Sequence, residues 1–214
     1  MHEAWLDKPG LDPEKGDPMK VEPVTLAGRI VRLEPLSEAH IPALAQVGLE
    51  EEIWRYMRYG KVETIERLSA WVRELLSLQT LGTDLPFAVI YLSSGNAIGC
   101  TRYLHIDPSS RSLEIGGTWY GLDYQGTQVN TECKYLLLKH AFESLECIRV
   151  WFKTDLRNLR SQHALERLGV VKEGVLRNHM ILPDGSIRDS VMYSMLPEEW
   201  PQVKMKLEAR LKSK

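Results

Sequence analysis

A strand–helix–strand unit near the middle of the chain constrains the fold more than any other feature. Residues 113–119 form a β-rich stretch that leads into a polar turn at 123–127, and a predicted helix then runs to about Leu145. A second β-rich stretch follows at 148–154. Two strands joined by a helix of this length pair in parallel through a right-handed crossover. The sequence therefore predicts one parallel strand pair inside the sheet.

The flanking segments predict antiparallel strands and further helices. Alternating and β-rich patterns predict strands at 29–36, 87–91, 97–106, 170–181 and 186–195. Apolar residues at helical spacing predict helices at 63–79, 158–168 and 197–212, with a shorter helix capped by Ser37. The predicted fold class is α+β: a mixed, largely antiparallel sheet with one central parallel pair and helices on both faces.

Composition narrows the class of protein. The chain has 214 residues, of which 43% are hydrophobic, and its net charge is −2. It lacks the basic excess of a dedicated nucleic-acid binder, and no apolar run approaches the roughly 20 residues of a membrane span. We expect a cytoplasmic protein with no nucleic-acid or membrane partner. We also expect residues 1–20, rich in Pro and charge, to be a flexible leader and residues 21–214 to be a single domain.

The three cysteines narrow the chemistry. Cys100, Cys133 and Cys147 are an odd number and show no spacing typical of a metal site. We therefore expect free thiols and no bound metal. None is needed as a nucleophile.

The turn after the first predicted parallel strand is the place where a ligand is expected. Ligands of open sheets bind beyond the carboxyl ends of parallel strands, and the N-terminus of a helix attracts anions. The residues at this turn are Gln125, Gly126, Thr127, Gln128, Val129 and Asn130. Spacing alone favours an anion site and a plain glycine turn, capped by Asn130 or Thr131, about equally.

Several motifs occur together in this chain. They are Glu-Ile-Gly-Gly-Thr-Trp at 114–119, Gln-Gly-Thr-Gln-Val-Asn-Thr-Glu at 125–132, Leu-Leu-Leu at 136–138, Thr-Asp at 154–155, Asn-Leu-Arg-Ser at 158–161 and Leu-Gly at 168–169. Over about 24–196 the chain resembles the GNAT superfamily of acyl-CoA-dependent N-acyltransferases, and within it the RimJ/RimL-type branch. The resemblance implies a GNAT-like domain that transfers an acetyl group from acetyl-CoA to a primary amine, either a protein N-terminus or a small amine.

The resemblance also implies which residues hold acetyl-CoA. The loop wraps the pyrophosphate with backbone amides, and the strand before it pairs its backbone with the pantetheine amides and polarises the thioester carbonyl. The family normally has Gly at the fourth loop position, where this chain has Gln128, whereas Asn130 at the sixth position is typical of the branch. The expected contacts are Thr118, Trp119, Tyr120, Gln125, Gly126, Thr127, Gln128, Val129, Asn130, Asn158 and Ser161.

Two residues are candidates for the chemistry. Glu114 is the candidate general base, because its strand is expected to flank the thioester; otherwise it is a strand-end carboxylate bonded to an amide. Many relatives have a leaving-group tyrosine seven residues after the Asn, and this chain has Leu165 there. The RimJ/RimL-type pattern places Ser161 near the sulfur instead. Asn158 would bond the pantetheine arm, cap the helix, or do both.

Charged clusters suggest how cofactor and acceptor divide the site. Basic residues crowd the cofactor side and either steer phosphates or form a solvated face: Arg149, Lys153, Arg157, Arg160 and Arg167. The acidic run 50–52, followed by Trp54, Tyr56 and Tyr59, is either a solvated helix end or a cation site for the acceptor.

The expected mechanism is direct attack of the amine in a ternary complex. A rival function is a catalytically weak or inactive CoA-binding sensor or scaffold on the same fold, supported by Gln128 and the missing tyrosine. We expect a monomer or a homodimer.

Overall fold

The computed structural model describes residues 19–213, which fold around one eight-stranded sheet. The strands are β1 (Leu26–Ala27), β2 (Val31–Pro35), β3 (Leu85–Tyr91), β4 (Asn96–Asp107), β5 (Ser112–Tyr120), β6 (Arg149–Asp155), β7 (Val171–Ile181) and β8 (Ile187–Met195). Their order in the sheet is β1-β2-β3-β4-β5-β6-β8-β7. Neighbours are antiparallel except β5 and β6, which are parallel. The predicted fold class is confirmed.

Helices cover both faces of the sheet. They are α1 (Ile41–Val47), α2 (Glu51–Trp54), α3 (Ile65–Thr80), α4 (Gln128–Glu143), α5 (Leu159–Leu168) and α6 (Trp200–Lys212), with a 3-10 turn at Glu38–His40 and another at Leu122–Tyr124. One apolar core lies between the sheet and α4, α5 and α6, and a second lies between the sheet and α1, α2 and α3. None of the helices within 19–213 is long and apolar enough to cross a bilayer.

Two features of the fold were not predicted from the sequence. The last strand, β8, lies between β6 and β7, so that β7 becomes the edge strand of the sheet. The acidic run 50–52, interpreted from the sequence as either a solvated helix end or a cation site, lies at the start of a separate short helix, α2. Residues 1–18 of the expected leader lie outside the described residues, and Met19 is buried in the core.

The three cysteines are free and buried. Burial raises the pKa of the Cys133 and Cys147 thiols to about 12 and raises that of Cys100 still further. A protonated, buried thiol is a poor nucleophile. The cysteines are therefore core residues, and they are free thiols, as the sequence predicts.

A buried carboxylate ties α4 to the start of the sheet. Glu132 of α4 accepts backbone N–H bonds from Arg29 (2.9 Å), Ile30 (2.7 Å) and Val31 (2.7 Å), which lead into β2. A Cβ atom on Gly28 would lie 2.4 Å from a Glu132 oxygen, so the turn needs glycine at that position. Because three donors converge on one carboxylate, Glu132 fixes the position of the helix that carries the loop at 125–130.

Removing this carboxylate should destabilise the protein. Glu132→Ala leaves three backbone donors unpaired and is expected to lower the free energy of unfolding by about 3 kcal/mol. Urea unfolding at neutral pH measures the change. Glu74→Ala, at an exposed position of α3, is the matched control and should change stability little. Equal losses in the two variants would contradict the role given to Glu132.

Candidate active site

The sheet opens between its two parallel strands. β5 and β6 pair at only three positions, residues 112–114 of β5, although β5 continues to Tyr120. Gly117 has a φ of +56°, a left-handed conformation that favours glycine, and the pairing of β5 with β4 shifts register at the same level. This bulge lets β5 turn away from β6. Beyond Glu114, the facing edges of β5 and β6 do not pair with each other, so backbone groups there can meet a ligand.

A cavity of about 640 Å³ occupies this gap. Its wall is built from β4, β5, β6, the loop before α4, and one side each of α4 and α5, with α2 and the turn after it at one end. A few residues of β7, β8 and α6 complete the wall. The cavity brings together all but two of the predicted site residues: Glu114, Thr118, Trp119, Tyr120, Gln125, Gly126, Thr127, Asn130, Asn158 and Ser161. The two that do not line it are Gln128 and Val129.

The loop before α4 has the geometry of a donor cradle. Gly126 has a φ of +74°, and the space where a Cβ atom would stand is open to 4 Å. Thr127 caps α4: its Oγ1 accepts the Val129 N–H at 3.3 Å. The caps considered from the sequence, Asn130 and Thr131, are therefore wrong, because the helix begins at Gln128. The first N–H groups of a helix have no partner within it, so this turn offers backbone donors to an anion.

Gln128 points away from this cradle. Its Nε2 donates to the carbonyl oxygens of Arg210 (3.0 Å) and Ser213 (2.7 Å) at the end of α6. The neighbouring Val129 side chain is buried in the core, and its N–H donates to the Thr127 cap. Gln125 is held in place differently, with its Nε2 donating to the Tyr120 carbonyl at 3.0 Å.

A chain of polar contacts lines the gap on the α4 side. The Tyr120 hydroxyl donates to Asn130 Oδ1 at 3.2 Å, and Lys134 Nζ donates to Thr118 Oγ1 at 2.9 Å. Sequence reasoning missed Lys134. The available signal was its position four residues after Asn130, where it interrupts the apolar face of α4.

The opposite side of the gap carries a buried carboxylate. Glu114 is 3% exposed, and its Oε2 lies 3.3 Å from Lys153 Nζ and 3.5 Å from His105 Nε2. Burial raises the pKa of Glu114 above its ordinary value, against the opposing effect of the Lys153 ammonium. Burial also lowers the pKa of His105, which stacks on Trp151 with ring centroids 5.5 Å apart. The raised pKa makes the Glu114 carboxylate a stronger base than an exposed carboxylate.

The Arg102 side chain packs against the bulge of β5 at Gly117. It is 2% exposed, its Nη1 lies 2.8 Å from Asp84 Oδ2, and its Nη2 donates to the Tyr59 hydroxyl. A Cβ atom on Gly117 would lie 2.7 Å from Arg102 Nε. This buried pair, which sequence reasoning also missed, packs directly against the glycine at which β5 turns.

Asn158 and Ser161 lie at the start of α5. Asn158 Oδ1 caps the helix by accepting the Ser161 N–H at 3.0 Å, and Gly169 ends the helix with a φ of +93°. Both Asn158 and Ser161 also line the cavity, as does Leu165. Capping therefore leaves the Asn158 side-chain NH₂ available to a ligand.

Only some residues of the predicted basic cluster line the cavity near the loop. Arg149 pairs with Glu173 at 2.6 Å, and Arg157 pairs with Asp155 at 2.8 Å, so both are neutralised. Arg160 and Arg167 line the cavity near the loop. Arg160 donates to Gln125 Oε1.

The residues of the acidic run and the aromatic residues after it also differ in their surroundings. Trp54 is buried against Trp71 and Trp119 in the core under α3, so it cannot meet an acceptor directly. Glu52 and Tyr56 line the end of the cavity that lies away from the loop. This segment is therefore not only a solvated helix end, because Glu52 and Tyr56 line the cavity.

Known acetyltransferases are similar to this chain in sequence and in fold. Residues 31–171 match the family described as an acetyltransferase (GNAT) domain. The "Putative ribosomal N-acetyltransferase YdaF" of Bacillus subtilis is 30% identical over 130 residues, which is 61% of this chain and 67% of that protein. A crystal structure of a "putative acetyltransferase" from T. thermophilus is 44% identical, with a TM-score of 0.82 over 90% of this chain and all of that one.

RimJ of Mycobacterium smegmatis in complex with CoA-disulfide shares the fold. It is 23% identical, with a TM-score of 0.72 over 88% of this chain and 92% of that chain.

The orientation of Gln128 leads to a prediction about CoA binding. Gln128→Ala should leave the Kd for CoA within about twofold of wild type, because the side chain faces α6 rather than the cradle. It should lower the free energy of unfolding by about 1 kcal/mol through the lost bonds to α6. Calorimetric titration and urea unfolding measure the two effects. A loss of CoA affinity with unchanged stability would show that the amide reaches the ligand.

Proposed function

Since the chain belongs to the GNAT acetyltransferase family, we propose that it acetylates the amino terminus of a polypeptide by direct attack in a ternary complex. The family and the enzyme class, an acyl-CoA-dependent acetyltransferase, are those predicted from the sequence motifs, and both are confirmed. The ribosomal name of YdaF agrees with the predicted RimJ/RimL-type branch. The acceptor, the mechanism and the residue roles are the proposed part.

One observation carries the proposal: the gap between β5 and β6 has a donor loop at one end and the buried Glu114 carboxylate on one side. The residues present fit acetyl-CoA. The open space at Gly126 admits a phosphate close to the backbone, and the unpaired strand edges suit the amides of a pantetheine arm.

The residues then take the following roles. Acetyl-CoA, when bound, supplies an acetyl thioester. The backbone N–H groups at 126–130 hold its phosphates, and those at 118–120 polarise the thioester carbonyl. Glu114 removes a proton from the incoming ammonium so that a neutral amine can attack. Asn158 donates its side-chain NH₂ to the pantetheine arm, and the Ser161 hydroxyl hydrogen-bonds the sulfur.

The choice of a polypeptide N-terminus over a small amine is supported by the name of the relative YdaF and by the exposure of Glu52, which lines the cavity beside the half-buried Tyr56. A thiol-release assay tests it with two panels, short peptides of varied first residue and small amines such as polyamines and amino acids. Release with peptides is expected. Release with small amines alone would change the acceptor class. CoA binding without release from any acceptor would favour the sensor or scaffold.

Replacing the proposed base should separate turnover from binding. Glu114→Gln is expected to lower kcat by about 10²-fold, the size of a general-base contribution, while the Kd for CoA stays close to wild type. Steady-state kinetics and calorimetry measure the two quantities. Glu173→Gln is the matched control, because Glu173 is also paired with a cation of β6, Arg149, but lies outside the cavity.

The pH profile gives a second readout. A base must be ionised to act, so kcat of the wild type should fall as pH drops through the raised pKa of Glu114, above the usual carboxyl range. Glu114→Gln should lack this acid limb. An unchanged limb, or unchanged turnover, would remove Glu114 as the base.

A third substitution separates capping from ligand contact at Asn158. Asn158→Asp keeps the oxygen that accepts the Ser161 N–H, so stability should be retained, but it removes the NH₂ donor. CoA affinity is expected to fall about fivefold, the value of one hydrogen bond. Asn158→Ala should lose the same affinity and also about 1 kcal/mol of stability. Full CoA affinity in Asn158→Asp would restrict Asn158 to capping.

A further inference from the structure

A buried lysine stands in the gap without a counter-charge. Lys134 is 7% exposed and lines the cavity. Within residues 19–213, the Thr118 hydroxyl is the one hydrogen-bond acceptor of its Nζ, and no carboxylate lies within salt-bridge distance. Its Nζ is 5.9 Å from the centre of the Phe152 ring on β6, so the amine reaches across from β5 to β6. Buried lysines are rare unless paired, so an unpaired one in a cavity indicates a role toward a ligand.

The lysine lies across the sheet from Glu114. Leu113 and Ile115 pack in the core under α4, so Glu114 between them faces the other side, where it meets His105 and Lys153. Past the bulge, Trp119 packs in the core under α3, so Thr118 faces α4 and Lys134. A thioester in the gap would therefore have the carboxylate on one face and the ammonium on the other.

The position along the gap favours the sulfur over the phosphates. The donor loop ends at Asn130, and Lys134 lies one helical turn deeper, about 6 Å along α4. Its Nζ is fixed at Thr118, one residue beyond the bulge at Gly117. That is the level at which the proposed function places the thioester.

The surroundings set the charge of this amine. Burial lowers the pKa of Lys134 to about 8, and the Glu114 carboxylate across the gap opposes this shift. Cys133 is the titratable neighbour on α4. The other charged or titratable groups of the cavity wall are Glu52, Tyr56, Arg58, Tyr59, Arg102, His105, Tyr120, Lys153, Asp155, Arg160, Arg167, Arg188 and Arg210. An amine in this range is mostly charged at neutral pH and gives up its proton readily.

We propose that the Lys134 ammonium stabilises the sulfur of acetyl-CoA as it leaves and returns a proton to it. The inference rests on the proposed function and adds the proton donor that Leu165 cannot supply. The amine nitrogen bonds to the thioester carbon while the carbon–sulfur bond breaks, and the sulfur keeps that electron pair. Lys134 then protonates the thiolate. Of the two protons lost by the acceptor ammonium, Glu114 takes one and solvent the other, and Lys134 is reprotonated from solvent.

The test measures the thiol of bound CoA directly. The ultraviolet absorbance of the thiolate, corrected with desulfo-CoA, gives the pKa of that thiol on the wild type and on Lys134→Met. The wild type should hold this pKa below that of free CoA, and Lys134→Met should raise it. Lys139→Met, at an exposed position on the same helix, is the matched control and should behave as the wild type.

Steady-state kinetics of the Lys134 variants are the second test of the proposal. Lys134→Met should lower kcat by about 10²-fold with little change in the Kd for CoA. Wild-type kcat should fall as pH rises through the pKa of Lys134. Lys134→Arg keeps the charge without releasing a proton, so it should keep the low thiol pKa but lose this alkaline limb and have reduced kcat. The Arg variant keeps the proposal testable if the Met variant does not fold.

Three results would overturn the proposal. They are the same bound-thiol pKa in wild type and Lys134→Met, a wild-type alkaline limb in Lys134→Arg, and acetylation of Lys134 itself on incubation with acetyl-CoA, seen by peptide mass spectrometry. The thiol titration needs no acceptor. Absence of wild-type turnover with every amine would therefore contradict the proposed function without deciding the role of Lys134.

Discussion

The brief pairing between β5 and β6 is the constraint on which the rest of the site depends. After three paired positions the strands diverge, and their facing backbone groups have no partner in the sheet. Unpaired backbone donors and acceptors must be satisfied by water or by a ligand. A strand-like ligand rich in amides therefore fits the interior of the sheet. The glycine bulge causes the divergence, and Arg102 packed against Gly117 maintains it.

The same divergence separates two electrostatic environments. On one side the buried Glu114 carboxylate lies beside Lys153 and His105. On the other side, within residues 19–213, the Lys134 ammonium has the neutral Thr118 hydroxyl as its one hydrogen-bond acceptor. An acyl transfer to an amine must remove a proton at the nitrogen and supply charge stabilisation at the sulfur. In the proposed mechanism the sheet provides these two functions from opposite faces, so Glu114 and Lys134 do not neutralise each other by direct contact.

The sequence predicted what depends on local pattern and on the family motifs. Periodicity predicted the strand–helix–strand unit. The family motifs predicted one shared site for Glu114, Asn158 and the loop before α4, and residues of all three line one cavity. The position of β8 between β6 and β7 was not predicted, because a hairpin has the same pattern in either order. Arg102 and Lys134 were missed because their burial depends on elements distant in sequence: Asp84 partners Arg102, and β5 and β6 enclose Lys134.

The departure at Gln128 shows how a motif position can change without loss of its geometry. Residue 128 is the first residue of α4, so its backbone is helical and does not need the freedom of glycine. Its side chain bonds the last carbonyls of α6, which lies beyond the family match at 31–171. Helix C-termini leave such carbonyls without a partner. The substitution therefore joins the donor loop to a terminal helix, and the backbone amides that face the cavity remain available.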